Sequence, residues 1–120
     1  MKEPGPDHPI TITDAPHRVR VLLGGVIVAE STRALRLEEA NYPPVFYIPR
    51  EDVVMDHFDR REKTTTCPYK GEANYYSITA HMLTADDAAW TYENPHAAVA
   101  RIKDHLAFYP DKVDAIEELT

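Results

Sequence analysis

The densest chemistry in this 120-residue chain lies in Thr64-Thr65-Thr66-Cys67-Pro68-Tyr69-Lys70-Gly71. Three hydroxyls, a thiol, a phenol and an amine are followed by a glycine, and Pro68 with Gly71 predicts a tight turn that aims its side chains. Such a turn would bring the Lys70 ammonium toward the Cys67 thiol and favour the thiolate, the form that acts as a nucleophile. The competing reading is a small buried cysteine beside a solvated lysine, since free cysteine packs well in cores. On either reading a lysine in a Pro/Gly turn contributes little packing, so Lys70→Ala should change function more than stability.

Three further stretches carry candidate side chains. In Tyr47-Ile48-Pro49-Arg50-Glu51-Asp52, Arg50 could grip a carboxylate or phosphate bidentately while Glu51 or Asp52 serves as a base; the alternative is a solvated charged turn after a strand. Trp90, the only tryptophan, either lines a pocket or fills the core. Tyr109, in Ala107-Phe108-Tyr109-Pro110, could present its hydroxyl to a cleft. The candidate ligand-binding set is therefore Tyr47, Arg50, Cys67, Tyr69, Lys70, Trp90 and Tyr109.

Several chemistries lack their residues. With one cysteine there is no intramolecular disulfide, no Cys-rich zinc site and no Cys-x-x-Cys redox cycle. The six histidines show no His-x-x-x-His spacing, and the phosphate-binding glycine loops and the Gly-x-Ser-x-Gly elbow are missing. No metal and no cofactor are expected. The net charge of −7, from 20 acidic and 13 basic residues, opposes nucleic acid and anionic membranes. The basic cluster Arg60, Arg61 and Lys63 is interleaved with Asp59 and Glu62, so it reads as a solvated face. No apolar run approaches the roughly 20 residues of a membrane helix, and no secretory h-region is visible, so the cytoplasm is the expected compartment.

The elements that must position these residues are mainly β. Residues 1–9, with three prolines, predict a flexible arm, and residues 10–120 a single domain. Arg18–Leu23 and Val26–Glu30 around Gly24-Gly25 predict a hairpin. Ala34–Glu38, with Leu35 and Leu37 on one face, and Val45–Ile48 predict further strands. Residues 50–58 fit a short strand or a helical turn, and 59–66 are charged, then threonine-rich. A long strand is predicted over Glu72–Leu83, a turn at Asp86-Asp87 and a strand over Ala88–Tyr92. The one predicted helix starts at Asn94-Pro95 and carries Val99, Ile102 and Leu106 on one face. Residues 112–118 fit a final short strand or a frayed end.

Taken in order, His8-Pro9-Ile10, Leu23-Gly24-Gly25, Pro43-Pro44-Val45-Phe46-Tyr47-Ile48-Pro49-Arg50-Glu51-Asp52-Val53, Cys67-Pro68-Tyr69-Lys70-Gly71-Glu72-Ala73, Ala89-Trp90-Thr91-Tyr92 and Ala107-Phe108-Tyr109-Pro110 resemble a bacterial family, domain of unknown function 427. The resemblance spans nearly the whole chain, and the Cys-Pro-Tyr-Lys-Gly block is its most specific part. The family pattern carries a histidine shortly before that block, where this chain has Lys63-Thr64-Thr65-Thr66. The resemblance implies a compact antiparallel β-tent or barrel-like (α+β) domain with one C-terminal helix. Related β-tent families hold zinc between cysteine pairs, which Cys67 alone cannot do. The family is also labelled nucleotidyltransferase-like, but the chain lacks a Gly-Ser followed by paired carboxylates that would hold Mg²⁺ and a triphosphate. Two functions stay open: a small-molecule-binding domain, with or without catalysis, or a non-catalytic interaction module whose motifs serve turns and packing. The number of subunits stays open as well.

Overall fold

The computed structural model describes residues 2–120. Ten strands lie among these residues: β1 Ile10–Asp14, β2 Arg18–Leu23, β3 Val26–Ser31, β4 Leu35–Glu39, β5 Val45–Pro49, β6 Phe58–Cys67, β7 Gly71–Ala80, β8 Leu83–Tyr92, β9 His105–Phe108 and β10 Ala115–Leu119. Seven form an antiparallel sheet in the order β1-β4-β5-β9-β8-β7-β6, and three form a second in the order β10-β2-β3. The architecture is mainly β, and the large sheet stays open, with β1 and β6 at its two ends and no closed barrel.

Side chains alternate across a strand, and the large sheet uses both faces. Ile48, Tyr76, Ile78, Leu106 and Phe108 point to one face, where they pack against Val19, Val21 and Val28 of the three-stranded sheet. The opposite parity places Leu35, Leu37, Tyr47, Tyr75, Tyr92 and Ala107 on the other face, joined by Val99 and Ile102. Leu106 is fully buried on the first face and its neighbour Ala107 on the second, so β9 is covered on both sides.

The helix expected from Asn94 is instead a 3-10 turn over Ala97–Ile102, entered from His96 and broken at Val99 (φ −123°). Val99, Ile102 and Leu106 are buried as their spacing requires, but Leu106 pairs with Ile48 in a strand. Strand pairing there overrides a segment too short to hold an α-helix by itself. Residues 50–58 resolve into two 3-10 turns, Arg50–Asp52 and Met55–His57, before β6 begins. The turn expected at Asp86-Asp87 lies at His81-Met82, both left-handed (φ 49° and 65°). Asp86 and Asp87 sit inside β8 at a register shift, where the Asp87 N–H is held by the Ser77 hydroxyl at 3.0 Å.

Strand β6 is the least visible in sequence. It pairs with β7 only, and residues 59–66 are exposed on both faces, so no hydrophobic period marks it. No helix among the described residues is long and apolar enough to cross a membrane.

Candidate functional site

Strands β5 and β9 pair only at Ile48↔Leu106 and Pro49↔His105. Beyond those pairs the ladder ends, and the start of β5 (Val45, Phe46) and the end of β9 (Phe108, with Tyr109 and Pro110) line a cleft of about 430 Å³. Its other walls are Tyr42, Pro43, Pro44 and Trp90, with Val21 and Ile116 of the small sheet, and no charged side chain among the described residues lines it. A second cleft of about 240 Å³ shares Tyr42, Pro43, Val45, Trp90 and Tyr109 with the first and adds Leu37, Glu39, Tyr47, Lys70, Tyr75 and Tyr92. The two are adjoining lobes of one concavity, the larger apolar and the smaller aromatic with an ion pair.

Strand parity delivers the aromatic lobe. Tyr47 follows Val45 on one side of β5, and Trp90 and Tyr92 share a side of β8. Across the β7–β8 register Trp90 lies opposite Tyr75 and Tyr92 opposite Ala73. Trp90 and Tyr109 lie with ring centres 4.5 Å apart, and Tyr75 stacks with Tyr109 at 6.4 Å and 11°. The Trp90 indole N–H donates to the Tyr47 hydroxyl at 3.3 Å, with the rings perpendicular. The Tyr75 hydroxyl shares hydrogen bonds with Tyr109 (3.2 Å) and Thr65 (2.9 Å). Burial raises the Tyr47 and Tyr92 phenols well above the ordinary tyrosine range and pushes Tyr109 up to about 12, so all three stay protonated near neutral pH.

The ion pair joins distant elements. Leu35, Leu37 and Glu39 share one parity on β4, so the Glu39 carboxylate emerges on the aromatic face. Lys70 comes from the three-residue turn between β6 and β7, whose exit needs Gly71: its φ is 114°, and an added Cβ would sit 3.3 Å from the Asn94 carbonyl. From β4 to β7 is four strand steps, about 19 Å in a flat sheet. The Lys70 ammonium nevertheless donates to one Glu39 oxygen, and His8 reaches the other at 2.7 Å. Side chains alone do not span that distance, so the sheet curls around this face into an open trough. Lys70 is 8% exposed and Glu39 side-chain exposure is 13%. Burial alone would raise the Glu39 carboxyl; the hydrogen bonds from Lys70 and His8 outweigh it and hold the group below the usual carboxylate range.

Lys2, Gly5 and His8 of the proline-rich N-terminal segment lie close to this assembly. The Lys2 N–H donates to the Pro68 carbonyl at 2.8 Å, Gly5 and His8 exchange backbone hydrogen bonds, and the His8 ring stacks on Tyr69 at 3.9 Å and 4°.

Of the seven side chains singled out in the sequence, Tyr47, Lys70, Trp90 and Tyr109 line the cleft. Arg50 lies elsewhere, donating to the Tyr76 hydroxyl at 3.0 Å and resting over its ring. Tyr69 supports His8, and Cys67 packs half-buried against the cluster of Leu35, Tyr47 and Tyr92. The turn at Pro68 forms as expected, but Lys70 is neither solvated nor a loosely packed turn lysine: Glu39 takes it into a buried pair. Glu39, Tyr42, Tyr75 and Tyr92 escaped the sequence reading. The parity of Glu39 with Leu35 and Leu37 was the available signal for the first, and that of Tyr92 with Trp90 for the last. No three His, Cys, Asp or Glu side chains among the described residues gather where they could hold a metal ion.

No curated protein matches the chain. Residues 11–119 match the family described as Domain of unknown function (DUF427). That span holds all ten strands but β1's first residue and every cleft-lining side chain, and the chain belongs to this family.

Proposed function

We propose that this protein binds a small organic molecule in the two-lobed cleft between β5 and β9. One observation carries the reading: six aromatic side chains and the buried Lys70–Glu39 pair line one concavity. Ligand sites are typically concave and largely apolar, with a few placed polar groups. A pair whose two charges are withdrawn from water is costly to maintain. The structural-module alternative is favoured only for Arg50, Tyr69 and Cys67, whose contacts are accounted for by packing and by holding the turn.

The test uses Trp90, the sole tryptophan, as a probe inside the cleft. A metabolite library is screened by thermal shift, and stabilising compounds are titrated against Trp90 emission. A ligand that binds only the folded state raises the melting temperature. The expected result is a compound that does so, changes Trp90 emission saturably and loses both effects in Tyr109→Ala. Stabilising compounds that leave Trp90 unchanged and act equally on Tyr109→Ala would overturn the assignment.

A further inference from the structure

The donors and acceptors in the smaller lobe do not balance, and the imbalance specifies a ligand. Both Glu39 oxygens are engaged, one by Lys70 and the other by His8. Lys70 carries three N–H donors and spends one on Glu39; the other two have no protein acceptor among the described residues. The Tyr47 hydroxyl accepts from Trp90, and its own O–H has no acceptor among the described residues. The Tyr92 hydroxyl has no hydrogen-bond partner among them, and the residue lines the open lobe. The lobe thus presents a surplus of donors to whatever enters it.

Next to this head site lies the larger lobe, walled by Pro43, Pro44, Phe46 and Pro110 and reached past Trp90 and Tyr109. We infer that the ligand is an amphiphilic carboxylate: a single carboxylate head taking the spare donors of Lys70, Tyr47 and Tyr92, and an aryl or short acyl body lying in the apolar lobe. This rests on the reading of the cleft as a ligand site. Formal charge selects the head. Lys70 and Glu39 cancel, and His8 adds at most one positive charge, which suits a monoanion better than a phosphate dianion. A cationic head would be repelled by the Lys70 ammonium and would find both Glu39 oxygens already engaged.

The test titrates octanoate and 4-phenylbutanoate against Trp90 emission and by calorimetry, beside octanamide, 4-phenylbutanamide, octylamine and phenyl phosphate. Both acids should bind saturably and about ten- to a hundredfold more tightly than their amides, the ratio expected for hydrogen bonds to a charged group. Octylamine and phenyl phosphate should bind more weakly than the acids. Tyr92→Phe, which loses no hydrogen bond to a described residue and so should fold normally, should weaken the acids severalfold and the amides less, since a neutral carbonyl accepts more weakly than a carboxylate. Lys70→Met should abolish the preference for acids over amides. Amides binding as tightly as acids, or octylamine or phenyl phosphate binding more tightly, would overturn the carboxylate head. If both acids fail while another library compound binds at Trp90, the carboxylate class falls and the ligand site stands. If the acids and the whole library leave Trp90 unchanged, both readings fall.

Discussion

Lys70 and Glu39 meet as a buried ion pair although the sheet places β7, which Lys70 precedes, four strands from β4, which Glu39 ends. The pair bridges the two sides of the trough. Removing one partner leaves the other charge buried, a cost that usually exceeds the net worth of the intact pair. Lys70→Ala is therefore expected to destabilise the fold by about 2–4 kcal/mol in urea unfolding. The double variant Lys70→Met with Glu39→Gln should recover part of that loss, since no charge is then left unpaired. A Lys70→Ala stability within about 0.5 kcal/mol of the parent, the range of ordinary surface substitutions, would show that the trough does not depend on the pair.

The same carboxylate sets a pH dependence. Its folded-state value lies below the ordinary 4.5. A depressed carboxyl stabilises the fold when the pH is above its unfolded value, and the increment is lost as the pH falls through the folded one. Acid titration of stability should show this loss beginning below about pH 4.5 in the parent. Glu39→Gln should lack that increment, so the gap between the two proteins narrows on acidification. A gap that stays constant from pH 7 to pH 3 would mean that Glu39 is not held ionised by Lys70 and His8.

The Arg60–Glu93 pair gives a contrasting expectation. It has two short contacts, 2.6 and 3.1 Å, and Glu93 is held below the usual carboxylate range, first by its hydrogen bond from Arg60. Both side chains are more than a third exposed, however. Solvent and salt screen such pairs, so Arg60→Ala should cost less than about 1 kcal/mol, and less still in high salt. Loss of more than that in moderate salt would mark β6 as more dependent on its outer contacts than its exposure suggests.

The β7–β8 turn stores strain. His81 and Met82 both hold positive φ without being glycine, and Met82 is 97% exposed, so its side chain offers little packing in return. Met82→Gly should stabilise by about 1 kcal/mol, seen as a melting temperature higher by roughly 4 °C. The reverse control is Gly24→Ala. At φ 60° its Cβ would lie 3.0 Å from the Ala80 carbonyl oxygen, so this change should lower the melting temperature.

Where local chemistry and tertiary placement agree, the chain was readable. Gly24 and Gly25 take the positive φ that a tight hairpin needs, and β2, β3, β5 and β7 follow their alternating or apolar runs. Where they diverge, it was not. β6 is exposed on both faces and carries no apolar rhythm. Asp86-Asp87 has the composition of a turn but serves as an irregularity within β8, because Ser77 across the ladder takes the Asp87 N–H. The cleft was half legible. Tyr47, Trp90 and Tyr109 stand out as aromatic residues in or just after strands, whereas the partnership of Lys70 with Glu39 and His8 depends on the curl of the whole sheet, which no local pattern encodes.

An open sheet must also stop growing. β6 leaves one edge of its backbone without a neighbouring strand, the arrangement on which a second chain could continue the ladder. Along that edge run Asp59, Arg60, Arg61, Glu62 and Lys63, all exposed. A strand arriving there would have to strip water from five charges in succession. The charged stretch that looks featureless in the sequence thus acts as a guard rail, making this edge a poor template for a further strand.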